Sequence, residues 1–195
     1  MSFFTGTQAE LLYSLPAAVT KNTYTTEAAF SGVLGTNPLC KVPAGYFGQD
    51  NPNPVGRSLY LVAFGTVATT SAATLAVALG FDPTAGTKNQ GIAVAGALAP
   101  TAAVTCPWKL EAWYTCTAWT DSTMTLQVNG TWRVESVASG GVPTTSAQCS
   151  GFSGTHSGAT ADPRVVNYIE LFGTWSASAA GNTTTLQQML LWGLN

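Results

Sequence analysis

Trp108-Lys109-Leu110-Glu111-Ala112-Trp113-Tyr114-Thr115-Cys116-Thr117-Ala118-Trp119 is the stretch that decides the fold. Trp108, Leu110, Ala112, Tyr114, Cys116 and Ala118 fall on one face, and Lys109, Glu111, Trp113, Thr115, Thr117 and Trp119 on the other. Successive side chains of a strand point to opposite sides, so this period of two predicts a strand with one face in a core.

The same pattern spreads outward. Downstream, Met124, Leu126 and Val128 alternate with Thr125, Gln127 and Asn129, and Asn129-Gly130 predicts a tight hairpin turn into Thr131 to Val137, because both residues tolerate positive φ. Upstream, Leu75, Val77, Leu79 and Phe81 alternate with Thr74, Ala76, Ala78 and Gly80. Arg57 to Val67, Val19 to Phe30, Leu39 to Val42, Val165 to Trp175 and Thr183 to Trp192 complete the predicted strands, with a turn-rich segment from Gln49 to Pro54. The one fair helix candidate is Gln8 to Leu15. Many short strands, turns rich in Gly and Pro, and little helix predict an all-β fold: a two-sheet antiparallel, jelly-roll-like sandwich. No repeat or linker divides the chain, and 195 residues suit one core. The expected organisation is an N-terminal arm over 1–17 and a single sandwich domain over 18–195.

Charge is scarce: 8 % of residues are Asp, Glu, Lys or Arg, against about 25 % in an average soluble domain. Lys and Arg nowhere cluster, so no nucleic-acid partner and no membrane-surface role is expected. No stretch approaches 18 uninterrupted apolar residues, which argues against a spanning helix. With no basic residue before Lys21, the N-terminus lacks the signature of a secretory signal, and the expectation is a chain that stays where it is made. A surface of Thr, Ser, Ala, Gly and Asn has little electrostatic protection against association and suits a component of an assembly.

Cys106 and Cys116 lie at two ends of one predicted strand, roughly 33 Å apart at about 3.3 Å per residue, and cannot pair. Without a CxxC and with His156 as the only histidine, metal binding has few ligands to draw on. Cys40, Cys106, Cys116 and Cys149 therefore read as small buried side chains kept reduced. No metal and no cofactor is expected.

His156, in the Gly- and Ser-rich stretch Ser150 to Gly158, reads as a loop residue. A triad with Asp162 would lack a nucleophile on a rigid turn. Glu111 and Glu135, on the polar faces of two strands, are a conceivable glycosidase pair; the competing reading pairs them with Lys109 and Arg133 as isolated ions. Trp113 and Trp119 are expected to share the polar face with Glu111. That arrangement would suit sugar stacking or burial at a subunit interface, and scarce charge favours the interface. In the N-terminal arm, Phe3, Phe4, Leu11, Leu12 and Tyr13 must bury somewhere, and the expectation is a grip on a neighbouring subunit.

Several stretches together resemble structural proteins of tailed bacteriophages, especially those of actinobacteria. They are Gly6-Thr7-Gln8-Ala9-Glu10-Leu11-Leu12, Val42-Pro43-Ala44-Gly45-Tyr46-Phe47, Val55-Gly56-Arg57-Ser58-Leu59, Ala73-Thr74-Leu75, Trp108 to Ala112 with Thr115-Cys116-Thr117, Gly173 to Ser178 and Asn182 to Gln188. The resemblance implies a non-enzymatic jelly-roll virion protein, made and assembled in the host bacterial cytoplasm. Its implied role is a capsid decoration or cement protein that binds the major capsid protein and itself, as a homotrimer. The alternative it leaves is a minor tail protein carrying a receptor- or glycan-binding module.

Overall fold

The computed structural model describes residues 9–22, 24–29, 39–48, 54–70, 73–86, 92–93, 100, 104–135, 148–156 and 161–194. These form twelve strands: β1 Ala9–Ser14, β2 Val19–Asn22, β3 Ala28–Ala29, β4 Lys41–Val42, β5 Ser58–Ala68, β6 Leu75–Asp82, β7 Ile92–Ala93, β8 Thr105–Trp119, β9 Met124–Val134, β10 Gln148–His156, β11 Asn167–Trp175 and β12 Thr183–Leu194. A seven-stranded antiparallel sheet runs β1-β12-β5-β8-β9-β10, with β2 also pairing β12. A five-stranded sheet runs β3-β11-β6-β7, with β4 also pairing β11. The two sheets pack face to face as an all-β sandwich.

β8 carries the core as its alternation predicts. Trp108, Leu110, Ala112, Tyr114 and Cys116 are each at most 2 % exposed. They meet Leu59, Leu61, Leu126, Val128 and Trp132 of the same sheet and Leu79, Phe81, Ile169 and Leu171 of the other in one apolar cluster. Trp108 and Trp132 sit ring to ring at 5.1 Å.

Four local expectations are corrected. Gln8 to Leu15 is not a helix: Ala9–Ser14 form β1, an edge strand against Leu190–Leu194 of β12. Tertiary pairing overrides local propensity here, because Tyr13 opposite Leu191 reaches the core only from a strand. Asn129-Gly130 is not a turn but the middle of β9, with Gly130 opposite Ala112 on one side and Phe152 on the other. A Cβ at Gly130 would lie 2.4 Å from the Phe152 ring, so the glycine is there to let that ring in. The hairpin from β8 closes instead at Thr120–Thr123, where the Thr120 N–H donates to the Thr123 carbonyl at 2.8 Å. Ser150 to His156 is strand β10, and His156 is fully buried, stacked parallel to Tyr114 at 6.0 Å and 5.8 Å from Phe81. The expected strand Val19 to Phe30 breaks in two, β2 joining one sheet and β3 the other. Phe3, Phe4 and residues 49–53 of the turn-rich stretch lie outside the described residues.

All four cysteines are free; Cys40, Cys106 and Cys116 are buried, whereas Cys149, on the edge strand β10, is exposed, contrary to expectation. Burial pushes the Cys40 thiol up, which further suppresses its reactivity. Alkylation of the native protein should label Cys149 quickly and the other three only after denaturation. Equal labelling rates at all four would contradict the buried placement.

Glu170 of β11 is 2 % exposed and accepts the Gly86 N–H at 2.6 Å. Burial, then the neighbouring Asp82 charge, raises its pKa. A raised folded pKa means the native state holds the proton more tightly, so this group favours folding below its ordinary value of about 4.3 and loses that contribution as pH rises through the folded value. Glu170→Gln is expected to match the parent near pH 4 and to melt a few degrees higher near pH 8. A parallel decrease at both pH values, by calorimetry, would contradict it.

Candidate functional site

The outward face of the seven-stranded sheet gathers Leu11, Phe64 and Trp113, three of the five exposed large hydrophobic side chains among the described residues. Leu11, Trp192, Tyr60, Trp113, Asn129 and Ser153 are successive cross-strand partners from β1 to β10. Directly opposed residues share a face, so they form one row. Its centre is an aromatic stack: Trp192 and Tyr60 at 5.7 Å and 24°, then Tyr60 and Trp113 at 4.3 Å and 29°. Leu11 is 53 % exposed and Trp113 46 %. The adjacent row is Ser14, Leu190, Val62, Glu111, Thr131 and Gly151, and the next is Gln188, Phe64, Lys109, Arg133 and Cys149. The face therefore divides in two. Its β1-β12-β5 half is mainly apolar and uncharged, with Phe64 40 % exposed and Ser14 and Gln188 as its polar members, while its β8-β9-β10 half, Trp113 apart, is polar and carries Glu111, Lys109 and Arg133.

At the divide, Tyr60 donates its hydroxyl hydrogen to Glu111 Oε1 at 2.5 Å, and Lys109 Nζ reaches the same oxygen at 3.0 Å. The Tyr60 hydrogen bond, and after it Lys109, hold the Glu111 carboxyl below the usual range, so it is ionised at neutral pH. Burial first, and Glu111 second, push the Tyr60 phenol up to about 12. The tyrosine is thus a fixed donor that locks its ring against Trp113. Beside them, Tyr60, Glu111, Trp113, Asn129, Gly130 and Thr131 line an open hollow of about 410 Å³.

Trp119 does not share this face. A bulge between Cys116 and Ala118 adds one residue, so the strand's alternation changes phase. Ala118 becomes exposed, and Trp119, opposite buried Met124, packs against the core. Its indole lies over Gly48, whose Cβ would come within 2.4 Å of Nε1, and lines a cleft with Asp121, Pro163 and Arg164. Of the other expected assembly residues, Leu11 joins the row, Leu12 is half-buried against the core and Tyr13 is buried in it.

Glu111 and Glu135 form the isolated ion pairs, Glu111 with Lys109 at 3.0 Å and Glu135 with Arg133 at 3.2 Å. Glu111 lies opposite Thr131, and the Glu135 N–H bonds the Pro107 carbonyl, so the two glutamates stand four residues apart along the sheet, about 13 Å. Glycosidase carboxylates sit about 5 to 9.5 Å apart. Asp162 is engaged by Arg164 at 2.7 Å. Among the described residues, no group of three or more His, Cys, Asp and Glu converges as a metal site would require.

Tyr60 and Trp192 escaped the sequence reading. Each lies on the outer phase of an alternating strand, opposite Leu59 and Leu61 in one and Leu191 in the other, which is a legible signal. Their meeting depends on strand order, which alternation does not encode. Compared with known protein families, curated proteins and solved structures, the chain matches none.

Proposed function

We propose that this chain is a non-enzymatic structural protein of a tailed-bacteriophage particle: a jelly-roll capsid decoration protein that binds the major capsid protein, associates with itself as a homotrimer, and is assembled in the host cytoplasm. The observation that carries this reading is the apolar half of the outer sheet face, where Leu11, Leu190, Val62 and Phe64 flank the Trp192–Tyr60 stack without a charged side chain among them. A rigid, flat, uncharged apolar surface is what the centre of a protein interface offers, since desolvating it removes no ion from water. The scarcity of charge over the whole chain, 8 %, supports the same reading. The test is sedimentation of the purified protein with heads and, separately, with tails. Heads should carry it down, and a Leu11→Ser, Phe64→Ser double variant should stay in the supernatant while melting as the parent does. Failure of the parent to bind heads would overturn the proposal.

The competing reading is a tail-associated receptor- or glycan-binding module. The hollow beside Trp113 favours it. Binding to tails alone would select it.

A further inference from the structure

We infer that the hollow beside Trp113 is a binding subsite for a neutral saccharide, with one pyranose ring stacked on the indole. The inference holds for a head-borne or a tail-borne protein, because the hollow lies on the polar half of the face, at the rim of the apolar half.

The wall comes first. Tyr60 stacks on the β5 side of Trp113, so the other indole face turns toward β9. There the floor is low: Asn129 and Thr131 are short, and between them only the Gly130 backbone meets the hollow. A tall flat ring beside a low polar floor makes a step that receives one ring edge-on to the sheet. The wall is also held before any ligand arrives, through Glu111 to Tyr60 to Trp113, which reduces the ordering that binding requires.

The polar groups then select the ligand. The contacts of Glu111 with Tyr60 and Lys109 fall on Oε1, so Oε2 offers an acceptor to a hydroxyl or amide hydrogen. The Asn129 carboxamide can donate and accept, and the Thr131 hydroxyl likewise. Lys109 offsets the Glu111 charge, which leaves the hollow without a net field to draw an ion, while the carboxylate itself repels phosphate or sulfate. An aromatic peptide side chain would satisfy the indole but desolvate Glu111, Asn129 and Thr131 without pairing them. A pyranose meets both demands, with its C–H face on the electron-rich indole face and its hydroxyls on the carboxylate, amide and threonine. The volume, about 410 Å³, lies in the small-ligand range of roughly 300 to 1,000 Å³. An open site of this kind binds weakly per copy, at about millimolar Kd, and gains strength when many copies act together.

The test uses the full chain on an array of neutral oligosaccharides, followed by NMR titration with the strongest binder among malto-, cello-, galacto- and N-acetylglucosamine oligomers. The parent should bind at least one. Trp113→Ala should weaken binding about tenfold or more and Glu111→Gln several-fold, both melting as the parent, while Phe64→Ala should bind unchanged. Three results would overturn the inference: no saccharide bound at about 10 mM, Trp113→Ala binding as the parent does, or retention of tryptophan-rich peptides in place of any saccharide. None of these bears on sedimentation with heads, so the two proposals fail separately.

Discussion

Deletion of residues 2–15 is expected to leave a chain that no longer folds, rather than a sandwich that merely fails to assemble. The deletion removes Tyr13 and Leu15, which are 8 % and 3 % exposed. Burying such side chains contributes about 1.5 to 3 kcal/mol each, together a large part of the 5 to 15 kcal/mol by which a domain is stable. It also removes the partner of Leu190–Leu194 and the bond from the Leu15 N–H to the Met189 carbonyl, turning the apolar strand β12 into a bare edge over that length. Circular dichroism should show loss of the cooperative transition, with aggregation. A transition close to that of the full chain would return the segment to the role of a dispensable arm. A shorter deletion, residues 2–8, keeps β1 and separates any part Phe3 and Phe4 take in assembly from the part β1 takes in folding.

Gly130→Ala is expected to destabilise the protein by about 3 kcal/mol or more, at the upper end of overpacking effects. The added methyl would sit 2.2 Å from the Glu111 carbonyl oxygen and 2.4 Å from the Phe152 ring. The ring can swing aside only by leaving the core, and the carbonyl belongs to the central strand β8. Gly151→Ala, on the neighbouring strand, meets nothing nearer than the Gly130 carbonyl at 4.0 Å and should change stability by under about 0.5 kcal/mol. Urea midpoints of the two variants decide the matter. Equal, small shifts would mean that Phe152 does not pack over Gly130 as described.

Gly130 also marks where sequence reading stops. The inner faces of β8 and of Met124 to Val128 in β9 were legible because each buries one side, and a period of two follows directly from that burial; β6, read by the same alternation, is buried on both faces along most of its length. Asn129-Gly130 carries a strong turn signal, yet the space Phe152 needs is a property of the neighbouring strand and outweighs it. Thr117 illustrates a second limit. The composition around Cys116-Thr117-Ala118-Trp119 reads as unbroken alternation, so the one-residue bulge that turns Trp119 inward leaves no local trace. The candidate site was legible only in fragments. Leu11, Trp113 and Glu111 could each be singled out, but their union with Tyr60, Trp192 and Asn129 depends on β12 lying between β1 and β5, a pairing between distant segments.

The most direct test of the central claim is electron cryo-microscopy of the purified particle. The account predicts density for this sandwich in many symmetry-related copies on the head, grouped in threes, with the apolar half of the outer sheet face, Leu11 to Phe64, turned onto the shell. Absence of the sandwich from the head lattice, or a head-bound copy whose Leu11–Phe64 face points to solvent, would contradict it.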